Sequence, residues 1–250
     1  MLQSDSGNIF LSFLKFFKRL LVAHWLTLVL LLIGIYLPLQ VFEILAVKVW
    51  QNQGGFRWDV PILLFIHATT QAQLDIFAAT LTKFASSKII IPVVSLIALV
   101  LLLCKQWRRS AYLIATVWGS LIINRAAKEF MHRVRPHLWD SPAPEIDYAF
   151  PSGHATMSMT LVMALVILTW GTAWCWLIAT VGSLFVVGIA WTRLYLGVHF
   201  PSDILAGWMV SVAWAIGVSL ILKPGLVKAN ALNNETGSET SLTPDEASHS

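Results

Sequence analysis

The chain has few charged residues and almost no cysteine for its length. Of its 250 residues only 12% are charged, while 57% are hydrophobic, and the mean hydropathy is +0.71. A soluble domain with so few charges could not cover its surface, so the composition predicts an integral membrane protein. The two cysteines, Cys104 and Cys175, both lie in apolar stretches. This placement excludes a disulfide framework and offers no cysteine spacing suited to a metal.

The chain also lacks a basic stripe and a signal-peptide cleavage site. Its net charge is +4, and the cations lie at the ends of apolar runs, so we expect no nucleic-acid partner. Lys15, Lys18 and Arg19 precede an apolar run that extends from Leu20 to about Gln40. Because no small-x-small cleavage site follows this run, it predicts an uncleaved first helix.

Six long apolar runs are present instead. A helix that spans a bilayer needs about 20 mostly apolar residues. Such runs occur near 20–42, 88–104, 110–130, 155–172, 174–192 and 203–222. The sequence therefore predicts an all-α polytopic membrane helix bundle with about six transmembrane helices. Shorter apolar runs in the 43–87 loop predict interfacial helices, which lie at the membrane surface without crossing it.

The basic clusters predict how the chain is oriented. Lys15–Arg19, Lys105–Arg109 and Lys223–Lys228 all fall on one side if there are six spans, so the positive-inside rule places both termini in the cytoplasm. We divide the chain into a basic amphipathic cytoplasmic N-terminus (1–19), a membrane domain (20–222) and a polar cytoplasmic tail (223–250). The tail has too little apolar surface to fold, which predicts disorder.

Three short segments on the opposite side hold the unusual polar residues. They are KEFMHRVRP with Lys128 and Arg135, PSGH at 151–154, and TRLYLGVHFPSD with Arg193, His199 and Asp203. Lys128 and Arg135 are seven residues apart, close to two helical turns, which would project both cations from one face. Pro136 disfavours helix at Arg135, however, so this arginine is expected just past the helix end.

These segments contain the elements of an anion site with a nucleophile. Pro201 suits the first turn of the last span, with Asp203 just inside it. Asp203 follows His199 by four residues and could bind one imidazole nitrogen, leaving the other nitrogen free to attack. The cations Lys128, Arg135 and Arg193 suit a phosphate, since arginine binds oxyanions with two N–H groups and lysine acts as a point charge. Ser152 is both a good N-cap and a candidate phosphate ligand, and Gly153 permits close backbone approach.

The three motifs resemble, in the same order, the signature motifs of the type-2 phosphatidic acid phosphatase superfamily. The motifs are K-x6-R-P at 128–136, P-S-G-H at 151–154 and R-x5-H-x3-D at 193–203. Three ordered motifs on one membrane face are far more specific than one. The resemblance covers roughly residues 57 to 222 and departs at Thr192, where the family commonly has serine.

The resemblance implies a metal-independent lipid phosphatase that needs no cofactor, and 20–222 would be its phosphatase domain. His199 matches the nucleophile that forms a phosphohistidine, Asp203 its orienting carboxylate, and His154 the general acid. The remaining matches form the phosphate-binding shell: Lys128, Arg135, Ser152, Gly153 and Arg193.

The resemblance also implies a substrate and a location. The substrate would be a lipid phosphate or diphosphate that enters laterally from the bilayer. Undecaprenyl diphosphate is favoured because its recycling occurs on the outer face, while phosphatidylglycerol phosphate and phosphatidic acid are the other candidates. The protein would be a multi-pass protein of the inner cell membrane, with its active site on the periplasmic or extracellular face.

Other interpretations remain at this point. The same site could serve a lipid phosphotransferase, and a non-enzymatic lipid transporter or assembly protein is a further alternative. The vanadium haloperoxidases share the motif set, but they are soluble. We interpret Arg133 as a headgroup contact or an interface anchor. We interpret Asp140 and Glu145 as solvated loop charges. Together with Asp147, they lack the spacing of metal ligands.

Overall fold

The computed structural model describes residues 15–225 except 17, 20, 21, 26, 53 and 54, and within them the only regular structure is helical. A π-helical segment, Leu30–Tyr36, leads directly into the first α-helix. The α-helices are α1 (Leu37–Asn52), α2 (Asp59–His67), α3 (Ala72–Leu81), α4 (Ser87–Leu103), α5 (Trp107–Met131), α6 (Gly153–Leu168), α7 (Ala173–Tyr195) and α8 (Pro201–Leu222). A 3-10 turn, Thr82–Ala85, joins α3 to α4. The predicted all-α fold is confirmed, whereas the expectations for 1–14 and 226–250 lie outside the described residues.

Not every long helix meets the length and hydropathy expected of a membrane span. Among the described residues, Thr27–Gln51, Ala173–Tyr195 and Pro201–Leu222 do so. A fourth span results if Ala72–Ala85 and Ser87–Leu103, bent by 41° at their junction, are counted as one. Each of the six predicted apolar runs contains a long helix, but α6 has only 16 residues. The number of six spans therefore stays a prediction.

The first long helix continues past its predicted end near residue 42 and reaches Asn52. Its last turns carry Leu45 and Val49, which are buried in one cluster with Phe150 and Ala206. Burial of these side chains stabilises the extra turns, and this packing was not visible in the local hydropathy. The helices α2 and α3 confirm that the remainder of the 43–87 loop contains helices, while their depth in the membrane stays a prediction.

Close helix packing brings α8 to the centre of the bundle. The first long helix runs antiparallel to it, and a Cβ on Gly34 would lie 2.6 Å from Cδ1 of Ile216. On another face of α8, a Cβ on Gly207 would lie 3.0 Å from the carbonyl oxygen of Ser152. Small residues at such crossings let helix backbones approach. The start of α6 is thereby held against the first turns of α8.

The bundle separates its two ends by chemistry. The C-terminal ends of α5 and α7 meet the N-terminal ends of α6 and α8, together with the loops at 132–152 and 196–200. At the opposite end, Nε of Arg109 donates to the carbonyl oxygen of Pro224 at 3.4 Å, so the α4–α5 turn and the end of α8 share that end. The polar motifs therefore gather at one end, away from these basic residues.

Candidate active site

The first two cations converge through a loop. Helix α5 ends before His132, which has a left-handed φ of +47° and donates its N–H to the carbonyl of Lys128 at 3.1 Å. Arg135 lies beyond the helix, as Pro136 predicted, so the two cations do not share a helical face. Both instead bind Asp147: Nζ of Lys128 lies 2.6 Å from Oδ2, and Arg135 contacts Oδ1. The two cations therefore come together because of the fold of the loop that follows α5.

A tight turn places His199 inside the protein. Gly197 has a φ of +68°, which side-chain-bearing residues rarely adopt, and a Cβ there would lie 2.5 Å from the Trp139 ring. This turn ends α7 and directs the segment 196–200 back into the bundle, where His199 is fully buried. The glycine of the third motif is therefore required by backbone geometry and by the neighbouring indole.

Hydrogen bonding fixes the tautomer of His199. Nη1 of Arg135 lies 3.0 Å from Nε2, and a guanidinium can only donate, so Nε2 accepts and the proton of a neutral imidazole is on Nδ1. Nδ1 is 3.5 Å from Oδ2 of Asp203, close enough for ion pairing but without a formed hydrogen bond. Burial, together with Arg135 and Arg193, holds the pKa of His199 well below its ordinary value. The imidazole is therefore neutral, and the lone pair of Nε2 accepts the N–H of Arg135.

Asp203 is fixed at the start of α8. The helix begins at Pro201 as predicted, and Oδ2 of Asp203 accepts the N–H of Phe200 at 2.8 Å. Its other oxygen, Oδ1, binds the guanidinium of Arg133. The carboxylate is fully buried, so its orientation toward His199 is set by these two partners.

At the start of α6, Ser152 occupies the N-cap position but its hydroxyl does not cap the helix. Its buried Oγ has no hydrogen-bond partner, whereas its N–H donates to the carbonyl of Asp203 at 3.0 Å. The expectation that the hydroxyl caps the helix is wrong, because contact with α8 holds this residue. A Cβ on Gly153 would meet Oδ1 of Asn124 at an ordinary 3.5 Å, so protein packing does not require glycine there.

Glu145 lies among the cations. Its carboxylate binds Nη2 of Arg193, and its Oε2 lies 2.7 Å from Nη2 of Arg135. Oε1 is 3.6 Å from Nδ1 of His154. Burial opposes ionisation, but the two arginines outweigh it and lower the pKa of Glu145 below its ordinary value. The interpretation of Glu145 as a solvated loop charge is therefore wrong, since a charge this close to buried arginines is held by them.

A cavity of about 750 Å³ leads away from this cluster. Charged side chains that line it include Lys128, His154 and Arg193, and the side chain of Arg193 is anchored by the hydroxyl of Thr82 at 2.9 Å. Apolar side chains from α4, α5 and α6 also line it, namely Ile89, Leu121 and Met157. A cavity lined by both charged and apolar side chains suits a ligand with a charged head and an apolar tail.

Two charged residues in this region were missed or misjudged from the sequence. Arg133 is fully buried and bridges Asp59 and Asp203, so its interpretation as a headgroup contact or interface anchor is wrong. Asp59 begins α2 and is equally buried. One signal was present: a lone carboxylate beside the apolar run VPILLFI is costly unless it is paired.

The structure brings all the predicted site residues to one end of the bundle. These are Lys128, Arg135, Ser152, Gly153, His154, Arg193, His199 and Asp203. Over the described part of the chain, no group of three or more histidine, cysteine or acidic side chains is arranged to hold a metal ion. The arrangement can bind a tetrahedral oxyanion between cations, beside a nitrogen able to attack it.

Comparisons with known proteins identify relatives that are phosphatases. The sequence profile of the PAP2 superfamily matches residues 109–224. An undecaprenyl-diphosphatase of Sulfolobus acidocaldarius is 28% identical over 194 residues, which cover 75% of this chain and 85% of that protein. Phosphatidylglycerophosphatase B of Bacillus subtilis is 31% identical over 145 residues, covering 53% of this chain and 67% of the relative.

The fold has a counterpart among solved structures. A transmembrane PAP2-type phosphatidylglycerolphosphate phosphatase from Bacillus subtilis superposes with a TM-score of 0.66 at 21% identity, covering 75% of this chain and 96% of that one. The chain described here belongs to the PAP2 superfamily. It is a multi-pass membrane protein and an enzyme of the phosphatase class.

Proposed function

We propose that this enzyme removes phosphate from a membrane lipid through a phosphohistidine on His199, without a metal ion. One observation carries the proposal: the acceptor nitrogen Nε2 of a neutral, buried His199 lies 3.0 Å from Arg135, inside a cluster of cations. A lone pair beside fixed positive charge is what attack on phosphorus requires, since catalysis of phosphoryl transfer consists mainly of positioning and charge stabilisation.

In the first step, the phosphate of the lipid replaces the carboxylate of Glu145 on Arg135 and Arg193. Arg135 turns its N–H from Nε2 of His199 to a phosphoryl oxygen, which frees the lone pair of Nε2. Nε2 then attacks phosphorus, and the P–O bond to the lipid breaks as the P–N bond forms. Burial and the nearby Arg193 lower the pKa of His154 to about 4 in the free site. The negative charge of the bound phosphate favours protonation of His154, which then gives this proton to the leaving oxygen. Asp203 faces the other ring nitrogen and stabilises the positive charge that the imidazole gains.

In the second step, water attacks the phosphohistidine. The P–N bond breaks, its electron pair returns to Nε2, and His154 takes the proton of the attacking water. Inorganic phosphate then leaves, and the enzyme is restored. The unpartnered hydroxyl of Ser152 and the ammonium of Lys128 supply further donors to the phosphoryl oxygens in both steps.

Among lipid substrates we favour undecaprenyl diphosphate, with phosphatidylglycerol phosphate and phosphatidic acid as the other candidates. The S. acidocaldarius relative is named an undecaprenyl-diphosphatase, and the B. subtilis relative a phosphatidylglycerophosphatase. The apolar side chains that line the cavity, such as Ile89 and Leu121, support lateral entrance of the lipid from the bilayer. We place the enzyme in the inner cell membrane with both termini in the cytoplasm and the site on the outer face, from the positive-inside rule.

The test is phosphate release by the purified enzyme in detergent with EDTA present. We expect turnover of at least one of these lipids, ranked by kcat/KM. His199→Ala should lower turnover by at least about 1000-fold, as loss of a nucleophile does. The matched control is His24→Ala, because His24 is exposed and lies outside the site. Loss of activity in EDTA, or an active His199→Ala variant, would exclude the mechanism.

A further inference from the structure

Behind Asp203 lie two fully buried charged side chains, Asp59 and Arg133, that the proposed chemistry does not use. Nη2 of Arg133 is 3.0 Å from Oδ2 of Asp59, and its Nη1 binds Oδ1 of Asp203. All three side chains have no exposed surface. Burying charge is costly unless it is well paired, so an arginine shared by two carboxylates indicates a constraint beyond packing.

Asp59 makes the connection from a distant part of the chain. Its Oδ1 accepts the N–H of Ser202 at 3.0 Å, and its Oδ2 accepts the hydroxyl of Ser202 at 2.6 Å and the N–H of Phe56 at 3.0 Å. These bonds tie the start of α2 to the first turn of α8. The guanidinium of Arg133 also lies 4.3 Å from the centroid of the Phe200 ring, beside the nucleophile in sequence.

The charges of this cluster have a direct consequence for His199. When ionised, Asp59, Arg133 and Asp203 sum to one negative charge, and Oδ2 of Asp203 is 3.5 Å from Nδ1 of His199. Without Asp59, the arginine would be balanced by Asp203 alone and the cluster would be neutral. A neutral cluster would attract the positive charge that develops on the imidazole less strongly than an anionic one.

We propose that Asp59 and Arg133 are positioning residues of the reaction: Arg133 orients Asp203, and Asp59 neutralises Arg133 so that the negative charge of Asp203 acts on His199. This inference rests on the proposed function, because it assumes that His199 becomes positively charged during turnover. It assigns a role in phosphoryl transfer to a residue of α2, which precedes all three motifs and lies outside the matched family region.

The test is a double-mutant cycle with Asp59→Asn, Arg133→Gln and their combination, measured as kcat and KM for the lipid that the wild-type enzyme hydrolyses. Asp59→Asn should lower kcat by about 10- to 100-fold, as is usual when a residue that orients a functional side chain is lost. KM should stay within about threefold, because the side chains proposed to bind the phosphate are unchanged. The double variant regains the single negative charge, so its kcat should exceed that of Asp59→Asn.

A merely structural role predicts the opposite. The double variant would then be slower than either single variant, with the effects multiplying, and that result would overturn the inference. If the single variants fail to fold, the double variant still tests the inference. It should fold because it leaves no buried arginine without a partner. Its kcat should lie within about tenfold of wild type, and any larger loss would contradict the inference.

Two further measurements separate the possible failures. Asp75→Asn makes the same chemical change on α3, where Asp75 accepts the hydroxyl of Tyr195 at 2.8 Å away from the cluster, and it should leave kcat unchanged. An active wild type with an inactive His199→Ala variant, but a fully active Asp59→Asn variant, overturns this inference alone. An inactive wild type, or an active His199→Ala variant, overturns the proposed function as well.

Discussion

At the scale of single residues, Glu145 changes how the site is understood. The sequence offered cations and histidines for an anion, and the structure adds an anion of its own, bound to Arg135 and Arg193. Such charge-assisted pairs are stronger than neutral hydrogen bonds. In the proposed reaction, the phosphate of the substrate therefore competes with this carboxylate, and the competition affects how tightly the lipid binds.

Glu145→Gln should strengthen binding, because an amide competes less well than a carboxylate for the two arginines. We expect KM for the lipid and the inhibition constant of vanadate, a phosphate analogue, each to fall about 3- to 10-fold, equivalent to about 0.7 to 1.4 kcal/mol. Steady-state kinetics in detergent measures both. The control is Asp140→Asn, an exposed carboxylate of the same loop. A KM that rises in Glu145→Gln would contradict this prediction.

Ser152 offers a residue-scale test that separates activity from stability. Its buried Oγ has no protein partner, so Ser152→Ala should leave the thermal unfolding midpoint in detergent nearly unchanged. Loss of one hydrogen bond to a charged phosphate should lower kcat/KM by roughly 10- to 150-fold, equivalent to about 1.5 to 3 kcal/mol.

The matched variant for this test is Ser158→Ala on the same helix. The buried hydroxyl of Ser158 donates to the carbonyl of Ala155 at 3.2 Å, a bond within the helix. This variant should therefore keep its activity. Equal activity losses in the two variants would show that the substitutions act through the helix and not through the phosphate.

At the scale of structural elements, the turn between α7 and α8 determines where His199, the proposed nucleophile, lies. Helix α7 ends with Arg193 in its last turn, α8 begins at Pro201, and five residues reverse the chain between them. Gly197 is the point of reversal. The two helices can thus present an arginine and a carboxylate on either side of one buried histidine.

Gly197→Ala should damage both stability and activity. The left-handed backbone disfavours a Cβ, and the added atom would lie 2.5 Å from the Trp139 ring. We expect a loss of about 1 to 3 kcal/mol in the free energy of unfolding, together with reduced kcat as His199 shifts. Urea or thermal titration and an activity assay measure the two effects.

Gly171→Ala is the matched control for this turn. Gly171 has a φ of +78° in the turn between α6 and α7, with no atom within 4 Å of its added Cβ. It should therefore show the backbone strain without the clash, and keep its activity. If Gly171→Ala lowers kcat as much as Gly197→Ala does, strain in any turn would be the cause and the special role of the α7–α8 turn would be refuted.

At the scale of the whole molecule, the three motifs lie at one end of the bundle and the α4–α5 turn lies at the other. Arg109 meets Pro224 at this second end, where the α4–α5 turn also places Cys104. Asp140 belongs to the loop at the other end. The loop between α4 and α5 is rich in lysine and arginine, which the positive-inside rule places in the cytoplasm. The rule therefore predicts that the end with the three motifs faces outward.

An impermeant maleimide tests the sidedness in intact cells. With the protein produced in a bacterial inner membrane, Asp140→Cys in a Cys104→Ser, Cys175→Ser background should be labelled from outside. Native Cys104, which is exposed, should react only after the membrane is permeabilised. The reverse pattern would place the site on the cytoplasmic face and remove the reason for favouring a lipid that is recycled on the outer face.

The sequence by itself determined the all-helical membrane fold and the residues of the three motifs. Hydropathy and spacing are local quantities, and a helix needs no distant partner to form its hydrogen bonds, so these features could be predicted. Pro136 correctly placed Arg135 beyond α5, and Pro201 correctly marked the start of α8. The spacing of Lys128 and Arg135 was less informative, because a loop and not a helical face brings them together.

Only the tertiary structure decided how the charges are paired. Asp59 and Arg133 are 74 residues apart in sequence, and Glu145 comes from a loop that the sequence leaves unrestrained. The spacing of these residues in the sequence does not predict their partners, because salt bridges between distant segments depend on how helices and loops pack. The extension of the first long helix to Asn52 has the same cause, since contacts with α8 stabilise turns whose own hydropathy is modest. Local chemistry selected the reacting groups, and long-range packing set the electrostatic field in which they act.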